Sequence, residues 1–329
     1  MKADIPIPYS RALVTGGAGF IGSHLTQALC ERGCRVVVLD NFSSGNRSNL
    51  AGFDDDIEIV DGDIRDLSLL ESAADGCEAV FHQAAVVSVP QTVEDPVGSA
   101  LVNETGTLHV LEAARRAGAA RVVIASSSAV YGDDPHVPKR ESMPVRPMSP
   151  YAVHKAVGEQ HADVYHRLYG LETVSLRYFN VYGPRQDPGS PYSGVISIFL
   201  SRAAAGLRPV IFGDGKQYRD FIYVSDVVKA NLLAAATTAA AGGRFNIGTG
   251  EITRIRELWD RIAELAGTGL EPEFQAPRAG DIVASVADID RARSVLGFSP
   301  RTTFSTGLRK TWQWFAEAGQ ERGRHADSH

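Results

Sequence analysis

Tyr151 and Lys155 stand four residues apart in a stretch that reads as helix, downstream of the run Ser126-Ser127-Ser128. Four residues is about one helical turn, so the phenol and the ammonium leave the same face and can meet over one ligand. A phenol of reference pKa about 10 is a poor base at neutral pH, and a neighbouring cation favours its phenolate. A serine hydroxyl close by could hold a substrate oxygen or pass a proton, which together amounts to general acid–base catalysis. Ten tyrosines and six lysines in 329 residues give about 0.2 such pairs by chance, so the pair alone is a weak motif. Its surroundings decide.

Those surroundings begin with Arg11-Ala-Leu-Val-Thr15, which reads as a short buried strand. Gly16-Gly17-Ala18-Gly19-Phe20-Ile21-Gly22 follows, and then an apolar-periodic helix from Ile21 to Leu29 that Gly33 ends. Strand, glycine turn and helix are the context of a dinucleotide fingerprint. The spacing fits Gly-x-Gly-x-x-Gly at 17, 19 and 22, and Gly-x-x-Gly-x-x-Gly at 16, 19 and 22. Such glycines permit a tight turn, close approach of backbone to a pyrophosphate, and close helix–strand packing, with the phosphate at a helix N-terminus. A second strand, Arg35-Val-Val-Val-Leu39, ends in Asp40, 18 residues after Gly22. A carboxylate there accepts from both ribose hydroxyls and repels a 2′-phosphate, so the expected cofactor is NAD and not NADP. Asn41, rather than an arginine, agrees.

Strands and helices alternate, which predicts an α/β fold: a doubly wound parallel sheet (Rossmann) with a smaller C-terminal substrate lobe. Further strands are expected at Ile57–Val60, Ala79–His82, Arg121–Ala125 and Thr173–Tyr178, and helices at Ser99–Ala117 and Tyr151–Tyr169. Asp63, Gln83-Ala84-Ala85, Ser126–Ser128 and Tyr178-Phe179-Asn180 then fall at strand carboxyl ends, where such sheets bind ligands. Gly183 to Tyr192 reads as a long turn-rich binding loop, followed by a helix from Ser193 to Ala205. Ser225 is expected to cap a helix from Asp226 to Ala236, with Ala234–Gly243 as its low-complexity exit. Arg244–Ile247 is expected to return to the sheet as a strand, Thr253 to cap a helix to Ala266, and Ser305–Ala318 to be the last helix. The domain expectation is 1–180 for the NAD-binding unit with a return near 222–250. Residues 181–221 and 251–319 form the substrate lobe, and 320–329 a disordered tail.

Composition sets the outer bounds. Net charge −6 without a basic cluster argues against nucleic acid. No apolar run approaches the roughly 18 residues that cross a bilayer, and Met1 to Ser10 has no h-region, so a soluble, cytoplasmic chain is expected. Cys30, Cys34 and Cys77 are sparse and lack metal spacing, and the nine histidines are scattered, so no metal site is expected.

The ordered set Thr15-Gly-Gly-Ala-Gly-Phe-Ile-Gly22, Asp40-Asn41, Gly62-Asp63-Ile64, His82-Gln-Ala-Ala85, Ser126-Ser-Ser128, Tyr151-x-x-x-Lys155, Arg177-Tyr-Phe-Asn180 and Arg219-Asp-Phe221 resembles the extended short-chain dehydrogenase/reductase superfamily. Within it the chain is most similar to bacterial UDP-glucose and UDP-N-acetylglucosamine 4-epimerases, from about residue 11 to 315. The resemblance implies tightly held NAD, with Gly16, Gly19, Phe20, Ile21 and Gly22 at the fingerprint and Asp40, Asn41, Ser43 and Gly45 on the adenosine side. Asp63 and Ile64 would lie by adenine. Gln83, Ala84, Ala85, Ser126, Asn103, Tyr151, Lys155 and Tyr178 would line the path toward the nicotinamide.

It also implies a reaction. Tyr151 as phenolate would take the proton of a sugar 4-hydroxyl while C4 gives a hydride to NAD. Lys155 would hold the nicotinamide ribose and lower the phenol pKa. The 4-keto sugar would turn over and take the hydride back on its other face. Ser128, or else Ser127, would hold the 4-oxygen. The UDP-sugar would meet Ser88, Ser128, Tyr151, Asn180, Gly194, Val195, Val210, Phe212, Arg219, Arg278 and Ser285, with the two arginines on the diphosphate and 210–212 beside uracil. A small Ser285, seven residues after Arg278, implies room for an N-acetyl group. A homodimer through the helices near 99–117 and 151–169 is implied as well. Ala129-Val130, where a 4,6-dehydratase carries an acidic pair, argues against dehydration. A UDP-uronic acid epimerase or decarboxylase would want a carboxylate-binding arginine in the substrate loop, where Gln186-Asp187-Pro188 puts an acid. A non-catalytic NAD-binding protein would not need Tyr151, Lys155 and the serines together.

Overall fold

Short runs of Val, Ile, Leu and Ala bounded by glycine turns have no polar face to show to water, so they are satisfied only between two helical layers. A computed structural model describes residues 5–53, 55–186, 194–277 and 284–326 and places these runs in one parallel sheet. In chain order come β1 (Arg11–Thr15), α1 (Phe20–Cys30), β2 (Arg35–Asp40), β3 (Ile57–Asp61), α2 (Leu67–Ala74) and β4 (Ala79–His82). Then α3 (Val89–Glu94), α4 (Pro96–Ala100), a π-helical turn Leu101–Thr105 and α5 (Gly106–Arg116) lead into β5 (Arg121–Ser127). A 3₁₀ turn, Ser128–Tyr131, follows β5, and α6 (Pro150–Tyr169) returns the chain to β6 (Glu172–Tyr178).

The second half comprises β7 (Asn180–Tyr182), α7 (Val195–Ala204), β8 (Val210–Phe212), β9 (Tyr218–Arg219), β10 (Phe221–Tyr223) and α8 (Val224–Ala236). It continues with β11 (Gly243–Ile247), β12 (Thr253–Arg254), α9 (Ile255–Ala266), β13 (Glu273–Gln275), β14 (Ala284–Ser285), α10 (Asp290–Leu296) and α11 (Phe304–Ala326). The large sheet has the order β11-β6-β5-β4-β1-β2-β3, every pairing parallel. The expected return of the chain is β11, which pairs with β6. Strand order reverses between β1 and β4, and the crevice at that switch point is where such a sheet takes a ligand.

The two faces are covered separately. Leu25 and Leu29 of α1, Val227 and Leu232 of α8, and Ala292 and Leu296 of α10 pack on one side. Leu70 of α2, Val110 and Leu111 of α5, and Ala162 and Tyr165 of α6 pack on the other. A third cluster, built on Phe199, Leu258, Trp259, Ile262, Leu308 and Phe315, holds α7, α9 and α11 together beside the sheet.

Several boundaries differ from expectation for reasons that are tertiary. Ser225 caps nothing: α8 starts at Val224 without a side-chain cap, and the Asp226 carboxylate instead accepts from Arg301 N and Thr302 N. Thr253 lies in β12, antiparallel to β9, and α9 starts after Arg254. The amides of Ile255 and Arg256 find Gln217 O and Gly215 O, so the preceding turn replaces a threonine cap. The expected helix 99–117 begins earlier, at Pro96, and carries the π turn. α11 is assigned over Phe304–Ala326, past the end expected at Ala318.

Candidate active site

The glycine turn is shaped by what it excludes. Gly16 has φ +68° and lies so near the next loop that a β-carbon on it would sit 2.7 Å from Ala84 N. A β-carbon on Gly22 would be 2.0 Å from Gly16 O, so α1 rests directly on the turn. α1 opens on Gly19 with no side-chain cap and no acid in its first turn, which leaves its first amides facing the crevice. The crevice is a cleft of ≈ 1270 Å³ across the carboxyl ends of the central strands.

Most of the predicted cofactor residues line it: Gly16, Gly19, Phe20, Ile21, Gly22, Asp40, Asn41, Ser43, Gly45, Asp63, Ile64, Gln83, Ala84, Ala85, Ser126, Tyr151, Lys155 and Tyr178. The buried Asp40 carboxylate takes Ala18 N at 2.9 Å and Phe42 N at 2.8 Å, one amide on each oxygen. Each oxygen keeps a second lone pair for a ligand hydroxyl. Asn41 donates to Asp63 at 3.0 Å, and a bidentate Arg65 holds the Asp63 carboxyl below its ordinary value. Tyr178 OH donates to Asn231 at 3.0 Å, beside Gln83, and burial pushes it up to about 12. A side-chain-free cradle, an open helix N-terminus and a buried carboxylate with spare lone pairs fit an adenine dinucleotide.

Tyr151, Lys155 and Glu159 occupy one face of α6 at successive turns. Ser149 caps this helix, its Oγ accepting from Ala152 N at 3.2 Å. Lys155 Nζ donates to Ala125 O at 2.9 Å and lies 5.8 Å from the centroid of the Tyr151 ring. Burial lowers Lys155 to about 8 and raises the Tyr151 phenol, which a hydrogen bond with Ser127 partly offsets. The phenol is therefore protonated in this ligand-free state, and the expected lowering by Lys155 is not in place.

Of the two candidate serines, Ser127, the last residue of β5, is the one hydrogen-bonded to the Tyr151 phenol. Ser127 Oγ also accepts from Ala129 N at 3.1 Å, which fixes its position, whereas Ser128 begins the 3₁₀ turn. Ser126 Oγ donates to the buried Glu159 at 2.5 Å. Glu159 pairs bidentately with Arg177 (2.7 and 2.6 Å), which in turn reaches Tyr131 OH at 2.9 Å.

Two residues sit differently from expectation. Asn103 is not in the cleft lining: its side chain accepts from Val86 N at 2.8 Å and donates to Val86 O at 2.9 Å, so it clamps the loop from behind. Ser88 is spent as the cap of α3, accepting from Gln91 N at 3.1 Å. Both polar groups answer local backbone needs first.

Apart from Tyr151, the predicted substrate residues gather elsewhere, with Gly194 in the cleft lining and Val195 next to it at the start of α7. Arg278 lies outside the described residues. Arg219 stands opposite Ser285 in the β9/β14 pairing, and Asn180 N and Nδ2 both donate to Asp220 O. Val210 and Phe212 belong to the β8/β13 pair. Asp220 organises this group: its fully buried carboxylate accepts from Thr249 N and Oγ1, Gly250 N and Ala287 N. Sequence reasoning passed over Asp220 although it sits inside the Arg219-Asp-Phe221 motif. It also missed Arg185 and Trp314, which line the cleft and come from distant segments.

Residues 12–248 match the model of the NAD dependent epimerase/dehydratase family. The chain belongs to that family. A UDP-glucose 4-epimerase of Mycolicibacterium smegmatis is 46% identical over 314 residues, 94% of this chain and 100% of that one. A UDP-N-acetylglucosamine 4-epimerase from Methanobrevibacter ruminantium, in complex with UDP-N-acetylmuramic acid, superposes with TM-score 0.90 at 39% identity, covering 94% of this chain and 99% of that one. A UDP-glucose 4-epimerase of Thermus thermophilus in complex with NAD gives TM-score 0.85 at 42% identity, with the same two coverages. Among the described residues no helix is long and apolar enough to cross a membrane.

Proposed function

We propose that this protein is an NAD-dependent 4-epimerase of UDP-hexoses, interconverting UDP-Glc and UDP-Gal and also UDP-GlcNAc and UDP-GalNAc. The observation that carries the reading is Tyr151: a half-buried phenol, bonded to Ser127 and one turn from Lys155, at the end of a dinucleotide cradle. Gly16, Gly19 and the first turn of α1 (Phe20, Ile21, Gly22) would hold the pyrophosphate. Asp40, Asn41, Ser43 and Gly45 would hold the adenosine ribose, with Asp63 and Ile64 by adenine. When bound, NAD supplies a reversible hydride acceptor. Ser127 would hold the sugar 4-oxygen, and Tyr151 would take the 4-hydroxyl proton and later return it to that same oxygen, after the keto sugar has presented its other face at C4. With the cofactor bound, Lys155 would supply a positive charge that favours the phenolate, an effect not in place in the ligand-free chain. Arg219 and Asn180, placed by Asp220, would receive the diphosphate together with Arg278.

In this reading residues 1–180 with the 222–250 return are the cofactor unit, and 181–221 with 251–319 the substrate lobe. A homodimer is part of it. Exposed Val93 on α3, Val97 on α4 and Leu101 on the π turn, with Val153, Val164 and Leu168 on α6, support an apolar seam for a second copy. Light scattering at twice the chain mass is the expected result.

One observation favours a second reading, chemistry on a UDP-uronic acid. Arg185 lines the cleft with φ +65°, and its Nη1 is buried without a partner while Nη2 donates to Gln27 at 2.9 Å. A sugar carboxylate would complete it. The test is incubation with UDP-Glc, UDP-GlcNAc and UDP-GlcA without added cofactor, with the epimers resolved. Turnover of the first two and not the third supports the hexose reading; turnover of UDP-GlcA alone overturns it.

A further inference from the structure

The chemistry above leaves out a side chain that lies beneath the two turns facing each other across the cleft. His82 ends β4 and is 2% exposed. Its Nδ1 lies 2.8 Å from Thr15 Oγ1 and its Nε2 lies 2.9 Å from Thr107 Oγ1. Thr107 decides which nitrogen carries the proton. The Thr107 hydroxyl donates to Asn103 O at 2.6 Å, and a carbonyl can only accept, so its single proton is spent there. The proton between Thr107 and Nε2 therefore belongs to the imidazole. Burial, with the charge of Lys155, lowers His82 to about 3, so at neutral pH it has one N–H only. Nδ1 is bare and accepts from Thr15, whose Oγ1 takes Ala84 N–H at 3.4 Å.

Every proton in this chain points the same way, from Ala84 N–H through Thr15, His82 and Thr107 to Asn103 O. Asn103 then grips both backbone groups of Val86. Both ends close on Ala84–Val86, the stretch that lines the cleft and touches the glycine turn at Gly16.

We propose that His82, neutral and protonated at Nε2, is a positioning residue for the cofactor half of the site, setting the spacing between the Ala84–Val86 loop and the glycine turn. This rests on the reading of the cleft as the NAD site. Two measurements on the full chain test it. In ¹⁵N spectra of the unmodified protein the His82 ring should show its proton on Nε2 and stay uncharged from pH 5 to 8. A proton on Nδ1, or an imidazolium in that range, overturns the proposal even if every variant unfolds. Thr107→Val removes the acceptor without changing shape and leaves Nε2–H buried and unpaired. NAD affinity should fall about tenfold while the KM for UDP-sugar at saturating NAD moves less than about twofold. Thr107→Ser, which keeps the hydroxyl, should restore it. NAD held equally tightly by Thr107→Val and the parent also overturns the proposal. A parent that binds no NAD sinks the cofactor reading instead, and this inference with it.

Discussion

At the scale of single residues, the site is a set of groups held away from their ordinary protonation balance. Tyr151 is pushed up by burial, and Lys155 is pushed down to about 8 with one carbonyl for company. In the proposed reaction the phenol is nonetheless the group that moves the 4-hydroxyl proton. Tyr151→Phe should reduce turnover by about 10²–10⁴-fold with folding intact. Near-normal turnover in that variant would remove the assignment. Lys155 makes a separate prediction about stability. Its folded pKa lies below the ordinary 10.5, so the folded chain holds the proton less tightly than the unfolded chain. The burden of the buried ammonium is therefore complete below pH 8 and disappears as pH rises from 8 toward 10.5. Lys155→Met should raise the Tm of the ligand-free chain at pH 7, and the difference should shrink across that interval. A constant difference from pH 7 to 10.5 would show that the gain comes from packing and not from charge.

At the scale of elements, α6 and β5, to which the proposed chemistry is assigned, rest on a shared buried ion pair. Glu159 is two turns along α6 from Tyr151 and pairs with Arg177 of β6, both almost fully buried. The same carboxylate takes Ser126 at the end of β5, and Arg177 reaches Tyr131 in the turn beyond. Removing one member of a buried pair strands the other charge, so Glu159→Gln should destabilise by about 3–5 kcal/mol in denaturant titration. A loss below about 1 kcal/mol would show that the pair does not anchor the helix. This level also separates what sequence reveals from what it hides. β1, the glycine turn, α1, and the face shared by Tyr151 and Lys155 follow from short-range patterns and were legible. Which of Ser127 and Ser128 bonds the phenol was not, since it depends on where β5 gives way to the 3₁₀ turn. Asn103 misled because the π turn aims it at Val86, and Asp220 was invisible because its donors lie 29, 30 and 67 residues away.

At the scale of the whole molecule, β14 and the residues after it join the strand carrying Arg219 to the segment that leads into α6 and Tyr151. Ser285 stands opposite Arg219 on one side, and its carbonyl accepts from Asp220 N at 2.8 Å. Two residues on, Ala287 bridges to Lys139 in the segment that follows the catalytic turn, with Lys139 N donating to Val286 O at 2.7 Å. The backbone at 285 is therefore held on both flanks. Serine is small, and a phenol in its place would take up the volume that an acetamido group needs, at a cost that sugar contacts do not return. Wild-type protein should turn over UDP-GlcNAc and UDP-GalNAc alongside UDP-Glc and UDP-Gal. Ser285→Tyr should abolish the first activity and spare the second, measured as kcat/KM for each pair on protein of unchanged Tm. Equal loss of both, or no wild-type activity on N-acetylated sugars, would show that selectivity is set at another position.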